Sequence, residues 1–421
     1  MRKPLKGREK MANASIGKPK IVVSETEMLP RNRMASPAWS KEFPSLTINN
    51  FSCIRDLTVE FPRLVVFIGE QASGKSITCK LYYFFTQALL KVATTCLREG
   101  VAVDDFRKRL IREFGLIFPS ESWHHDSFTI EWRYGANHMS VTHKRGNKNI
   151  KVNLFDYKDH YERATKRIVE YDANGSKAAD FDFRWKFDEF VTEVVSKELA
   201  SVSVDYIPAG RSFFSTIQDV VFSLLSNNVG IDYFLKEFGQ KLEAFRRVRH
   251  MWSGEADRQI LFEDLCHQIL HGKYYYDGKE QWIIANKDHK IRLADASSGQ
   301  QEALPLLMVL SRREAFFRRR GLLRIVIEEP EAHLYPTAQQ EIVNAIGSIL
   351  LKRGAIGSII TTHSPFILCC LNNVLKWHQD LQKSVSAYHL HDGVGDRIYA
   401  SDLGLINAER FDDISFSIAN A

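Results

Sequence analysis

The sequence predicts an α/β fold with a split core: a helix-covered parallel sheet, an antiparallel β layer beside its first half, and a mainly helical lobe inserted between the halves. Three observations predict it. A continuous apolar run, Leu64–Ile68, leads into a glycine-rich octapeptide and then a helical pattern that runs to about Leu97, as a strand buried on both faces does when it feeds a helix. Far downstream, after Ser297, apolar strands at Leu323–Ile327 and Ser358–Thr361 alternate with helical segments, which is the signature of a parallel sheet. Between these halves, residues 127–155 alternate in polarity through Phe128, Ile130, Trp132, Met139 and Val141, and residues 157–200 turn helical and charged.

Taken in order, residues 1–40 are polar, basic and aperiodic, and read as a disordered leader. Nine Lys/Arg against three acids fall within residues 1–34, an excess equal to the formal net charge of +6 for the whole chain. The remainder is balanced, so a global basic field gives no argument for nucleic-acid binding. Residues 41–155 form the first part of the core, opening with β-rich runs at Leu46–Ile48 and Leu57–Phe61. Residues 156–275 form the helical lobe, with a short strand at Val202–Ile207 closed by Pro208-Ala209-Gly210-Arg211. Residues 276–421 complete the core; at its start a hairpin joins Lys273–Tyr276 to Trp282–Ala285 through Asp277-Gly278. No apolar run is long enough to span a membrane and no signal peptide is visible. The six cysteines show neither CxxC nor zinc spacing, which fits reduced thiols in a cytosol. Cys369 and Cys370 are expected on one helix, facing different ways.

The octapeptide Gly69-Glu70-Gln71-Ala72-Ser73-Gly74-Lys75-Ser76 matches GxxxxGK[ST] between a strand and a helix, the context a phosphate-binding P-loop requires. Glycines let the backbone curl so that its N–H groups converge on phosphate, and the helix start adds unpaired donors. Gly69, Ala72, Ser73, Gly74, Lys75, Ser76 and Ile77 are therefore the expected nucleotide cradle. Lys75 would reach the β- and γ-phosphates and Ser76 would ligate Mg²⁺. The apolar strand ending in Glu328-Glu329-Pro330-Glu331 supplies the second half of such a site. Glu328 is expected to hold Mg²⁺ and Glu329 to act as general base, although a Glu where an Asp is usual leaves the two roles exchangeable.

Read with these elements, Ala296-Ser297-Ser298-Gly299-Gln300-Gln301-Glu302 resembles the LSGGQ signature of ABC ATPases. The resemblance implies that Ser297, Ser298, Gly299 and Gln300 meet the γ-phosphate of ATP held by a second copy. Ile360-Thr361-Thr362-His363-Ser364-Pro365 is similar to the family's switch-histidine region, and Ala332-His333-Leu334 stands where its D-loop crosses between copies. Leu46–Phe61 with its Ile-Asn-Asn-Phe start, Ser297–Glu302 and Glu328–Pro336 carry a closer resemblance to the branch holding RecF, SMC proteins and the overcoming-lysogenization-defect nucleases. Arg211 is expected at the nucleotide or lobe interface; Gln218 is the candidate for the Q-loop.

No sustained heptads appear, as SMC proteins would need, and no nuclease domain is recognised after Thr361. What remains is similar to the stand-alone ATPase subunits of bacterial anti-phage systems such as Septu, PARIS and retron-linked ATPases. The resemblance implies an ABC-type P-loop ATPase head using ATP and Mg²⁺, a head-to-tail dimer or larger oligomer, a separately encoded effector partner, and no membrane. Two alternatives stand beside it. A RecF-like ATPase closing on DNA would use the clusters Arg107-Lys108-Arg109, Arg312-Arg313 and Arg318-Arg319-Arg320; a scaffold would bind ATP without hydrolysing it.

Overall fold

The computed structural model describes residues 43–135, 137–147, 149–175, 181–199, 202–216, 231–249, 262–286, 289–316, 323–351 and 356–408. The leader, Gln218 and Arg318–Arg320 lie outside them. Strands are β1 Ser45–Phe51, β2 Ile54–Glu60, β3 Leu64–Gly69, β4 Phe128–Tyr134, β5 Asn137–His143, β6 Lys151–Asn153, β7 Ser203–Ile207, β8 Lys273–Tyr276, β9 Gln281–Asn286, β10 His289–Arg292, β11 Leu323–Glu328, β12 Ile356–Thr362, β13 Val385–His391 and β14 Val394–Arg397. The helices used below are α1 Lys75–Tyr83, α2 Leu89–Arg98, α3 Val103–Ile117, α4 Tyr157–Gly175, α5 Phe181–Glu198, α6 Phe213–Thr216, α7 Tyr233–Arg249, α8 Ser298–Phe316, α9 Pro336–Leu351 and α10 Pro365–Lys376.

The main sheet has the order β14-β13-β3-β12-β11-β7. It is parallel from β13 to β7, with β14 antiparallel at the edge. The apolar run of β3 is buried on both faces because it lies inside this sheet: Val65 and Phe67 enter one core, Leu64, Val66 and Ile68 the other. Beside the first core lies the antiparallel sheet β2-β1-β4-β5-β6. Its period-2 pattern places Leu46 opposite Val59 and Trp132, and Ile48 opposite Leu57 and Ile130, all buried. The α1–α2 helical run crosses this core with one π turn at Phe84–Ala88, where the Thr86 hydroxyl bonds the Tyr82 carbonyl at 2.6 Å. Trp132 stacks on Phe85 there, 5.8 Å between centroids.

The second core is filled from residues of α8, α9 and α10. Cys369 is exposed on α10 and Cys370 buried, two faces of one helix as expected; all six cysteines are free. The small sheet β10-β9-β8 includes the expected hairpin, whose Asp277 side chain accepts the N–H groups of Lys279 and Glu280 at 2.8 Å each. Two features differ from the sequence reading. β7, inside the 156–275 range, is a full member of the main sheet, parallel to β11. β13 and β14 were not foreseen, and β13 is the second neighbour of β3. Among the described residues no helix is long and apolar enough to cross a membrane.

Candidate nucleotide site

β3 ends at Gly69 and α1 begins at Lys75, so the octapeptide is the connection between a buried strand and a helix start. The backbone leaves no room for side chains at its glycines. A Cβ on Gly69 would overlap the Leu390 carbonyl oxygen of β13, and one on Gly74 (φ +99°) would lie 2.7 Å from Ile54 Cγ1. Ala72 holds φ +60°. Lys75 is buried and its ammonium donates to the carbonyls of Gly69 (2.8 Å) and Glu70 (2.7 Å). Burial lowers its pKa, opposed by Glu329, Glu331, Cys79 and Glu328. Ser76 is exposed in the first helical turn, and Ile77 packs on the first core. Two glycines without room for a Cβ, an ammonium and a helix N-terminus fit a polyphosphate. A Gly69→Ala substitution should cost about 1–3 kcal/mol, as overpacking does, and weaken ATP binding; thermal denaturation and a nucleotide titration check both.

The carboxylates come from β11. Glu328 is buried; its Oε1 accepts from the Tyr206 hydroxyl at 2.7 Å and its Oε2 from the Ala209 N–H at 3.2 Å. Glu329 follows with φ +44°, a left-handed conformation for a non-glycine residue that costs about 1–3 kcal/mol and persists only where the surroundings impose it. Its N–H donates to the Thr361 carbonyl at 2.9 Å, and its own carbonyl accepts from Arg211 Nη2 at 2.9 Å. The result aims Glu329 Oε1 at His363 Nε2, 3.3 Å away at the end of the neighbouring strand. Hard oxygen donors at Ser76 and Glu328 suit Mg²⁺.

Arg211 lies at the middle of this arrangement rather than at an open nucleotide face. It is buried, and burial lowers its pKa against the opposing field of Glu302, Glu331, Glu328 and Glu329. Its guanidinium donates to the carbonyls of Glu302 (3.1 Å), Pro208 (3.0 Å), Glu328 (2.7 Å) and Glu329 (2.9 Å). The Glu302 carboxylate accepts from the backbone N–H groups of Arg211 and Ser212, both at 3.0 Å. Helix α8, which the signature stretch opens, is thereby tied to the carboxylate pair.

The other expected residues are placed as follows. Ser297 and Ser298 are exposed and Gly299 is buried. The Ser297 hydroxyl lies 3.1 Å from Gln300 Oε1, and Gln300 Nε2 donates to the Leu270 carbonyl at 2.7 Å. A Cβ on Gly299 would lie 2.6 Å from the His333 carbonyl oxygen, so the signature glycine is where two backbones approach. His333 is exposed with φ +58°. Three residues escaped sequence reasoning. Tyr206 and Glu302 are described above. Glu331 Oε1 accepts from the Thr362 hydroxyl and the His363 N–H, both at 2.7 Å, and so fixes the turn that carries His363. Their signal is faint: an acid just past a Walker-type strand and another just past the signature. In the basic cluster, Arg107 pairs with Asp104 (3.1 Å), Lys108 with Asp105 (2.8 Å) and Arg109 with Glu99 (2.6 Å).

A family model for the AAA ATPase domain matches residues 139–368, more than half of the chain, from β5 to α10. The chain belongs to the AAA ATPase domain family. The match takes in Arg211, the Ser297–Gln300 stretch, the carboxylate pair and His363, while the octapeptide 69–76 precedes it. Several solved structures are similar to the chain at low identity. An SMC head bound to the C-winged helix domain of ScpA is 12% identical, with 85% of this chain and 97% of that chain covered and a TM-score of 0.41. The SMC head domain from Thermotoga maritima is 12% identical over 85% and 99%, with a TM-score of 0.39. A structure of the recombination mediator RecF is 13% identical over 85% and 99%, with a TM-score of 0.36.

Proposed function

We propose that this ATPase-domain protein hydrolyses ATP and assembles head-to-tail through shared nucleotides, controlling a separately encoded effector protein in the cytosol of bacteria as part of anti-phage defence. One observation carries the hydrolytic part: the Glu329–His363 pair, 3.3 Å apart at the ends of adjacent parallel strands. In this reading Lys75 and the N–H groups of residues 69–77 hold the phosphates. Ser76 and Glu328 would hold Mg²⁺, which when bound neutralises phosphate charge. Glu329 accepts the proton of the attacking water, and His363 orients both.

Assembly is supported by the signature stretch. Ser297 and Ser298 are exposed at the start of α8, and helix N-termini are the kind of site that receives an anion. Their expected ligand is the γ-phosphate of a partner copy. The defence setting and the effector rest on the resemblance to stand-alone ATPases of such systems. The DNA-clamp reading has less support, because Arg107, Lys108 and Arg109 each already face an acid.

Light scattering tests the assembly. With MgATP the wild-type chain should grow to at least twice its mass. Ser297→Arg should stay a monomer that still binds ATP, and Lys75→Ala should lose both binding and assembly. Growth of Ser297→Arg equal to wild type would remove the signature from the interface.

A further inference from the structure

The β13–β14 hairpin carries a group of side chains that nucleotide chemistry does not use. His389 and His391 alternate along β13 and so share one face; Asp396 lies directly opposite His389 on β14. One donor atom from each of these three side chains lies within 4.8 Å of the others. His391 Nε2 and Asp396 Oδ2 are 3.0 Å apart, and the two imidazole rings are 5.0 Å apart at 30°. Ligands around a tetrahedral Zn²⁺ at about 2.0–2.1 Å are separated by roughly 3.3 Å, so small rotamer changes bring these donors onto one ion.

We propose that His389, His391 and Asp396 form a binding site for a divalent d-block cation of the Zn²⁺ or Co²⁺ type. Two imidazoles and a carboxylate select such an ion over Mg²⁺, which prefers all-oxygen donors and its own water. Two further features make the site a built one. The Asp392 carboxylate lies 3.5 Å from His391 Nδ1, the position from which an outer carboxylate fixes the tautomer that leaves Nε2 free to ligate. The hairpin turn is also pinned. Asp392 (φ +47°) and Gly393 (φ +75°) make a two-residue turn, and the Gly393 carbonyl accepts from the N–H groups of Arg55 (2.7 Å) and Asp56 (3.1 Å). Arg55 Nε adds a bond to the Asp392 carbonyl at 2.8 Å. The ligands are thus presented on a strand pair fastened to β2, with little order left to gain on binding. Three protein ligands leave one position of a tetrahedral ion for water or another donor.

The test uses the full chain without an affinity tag, stripped with EDTA. Co²⁺ is titrated and followed by its visible absorption, then Zn²⁺ by calorimetry, both with Mg²⁺ in excess. One equivalent should bind, undiminished by Mg²⁺. His391→Ala and Asp396→Asn should each weaken binding by more than about 100-fold, beyond the 10–100-fold typical of an outer partner. Asp392→Asn should fall within that outer range. Circular dichroism of each variant verifies the fold. No binding by wild type, or binding of equal strength in His391→Ala and Asp396→Asn, overturns the proposal.

Discussion

Glu329→Gln should lower ATP turnover by roughly 10²–10⁴-fold, the usual worth of a general base, while the protein still binds ATP. The amide keeps the size of the side chain and its contact with His363, 3.3 Å away in the wild type, but cannot accept the proton. Phosphate release under saturating MgATP measures the first effect, and nucleotide titration the second. Trapped, ATP-loaded assemblies should accumulate, visible by light scattering. Glu328→Gln separates the two acids. If Glu328 holds the metal, this change should raise the Mg²⁺ concentration needed for half-maximal turnover, whereas Glu329→Gln should not. Wild-type turnover in Glu329→Gln would refute its role as base.

The second large effect is expected from Arg211→Met, which should destabilise the fold by about 3–5 kcal/mol, the cost of leaving one member of a buried ion pair uncompensated. Arg211 and Glu302 have side-chain exposures of 1% and 3%, so solvent offers neither a substitute partner. The same substitution strips donors from the carbonyls of Glu328 and Glu329, which hold Glu329 in its left-handed conformation. Chemical denaturation gives the stability change. The double variant Arg211→Met/Glu302→Leu should be less destabilised than the two single effects added together, because the uncompensated charge is gone. A change below about 1 kcal/mol in Arg211→Met, the range of an exposed pair, would contradict the network.

The core strand β3, the loop that follows it and the strand carrying Glu328-Glu329 were legible because their signals are local: unbroken apolar runs, glycine spacing and strand-end acids. The Asp277-Gly278 turn was legible for the same reason. An identical dipeptide, Asp392-Gly393, turns the β13–β14 hairpin, but His389, His391 and Asp396 interrupt the apolar pattern around it. The roles of Arg211, Glu302 and Glu331 lie beyond local pattern. Arg211 meets Glu302 across 91 residues of sequence, and Glu331 meets His363 across 32. Nothing in the spacing of single polar residues announces such pairings. β7 was recognised as a strand, yet its membership of the main sheet depends on a parallel neighbour, β11, from the far half of the chain.

The pairing of β3 also governs the order in which the protein can be made. Residues 64–69 leave the ribosome early, but their two sheet neighbours are residues 356–362 and 385–391. This strand must therefore wait, unpaired and apolar, while most of the polypeptide is synthesised. Pairings of such separation slow folding, and exposed strand edges invite aggregation in the interval. The antiparallel sheet can form meanwhile, since β1, β2, β4, β5 and β6 all precede residue 154. The octapeptide after β3 can consequently take its final seat only late in biogenesis, once β13 has docked and set the Leu390 carbonyl against Gly69. A translation product stopping short of β13 would have the complete octapeptide without the strand that seats it.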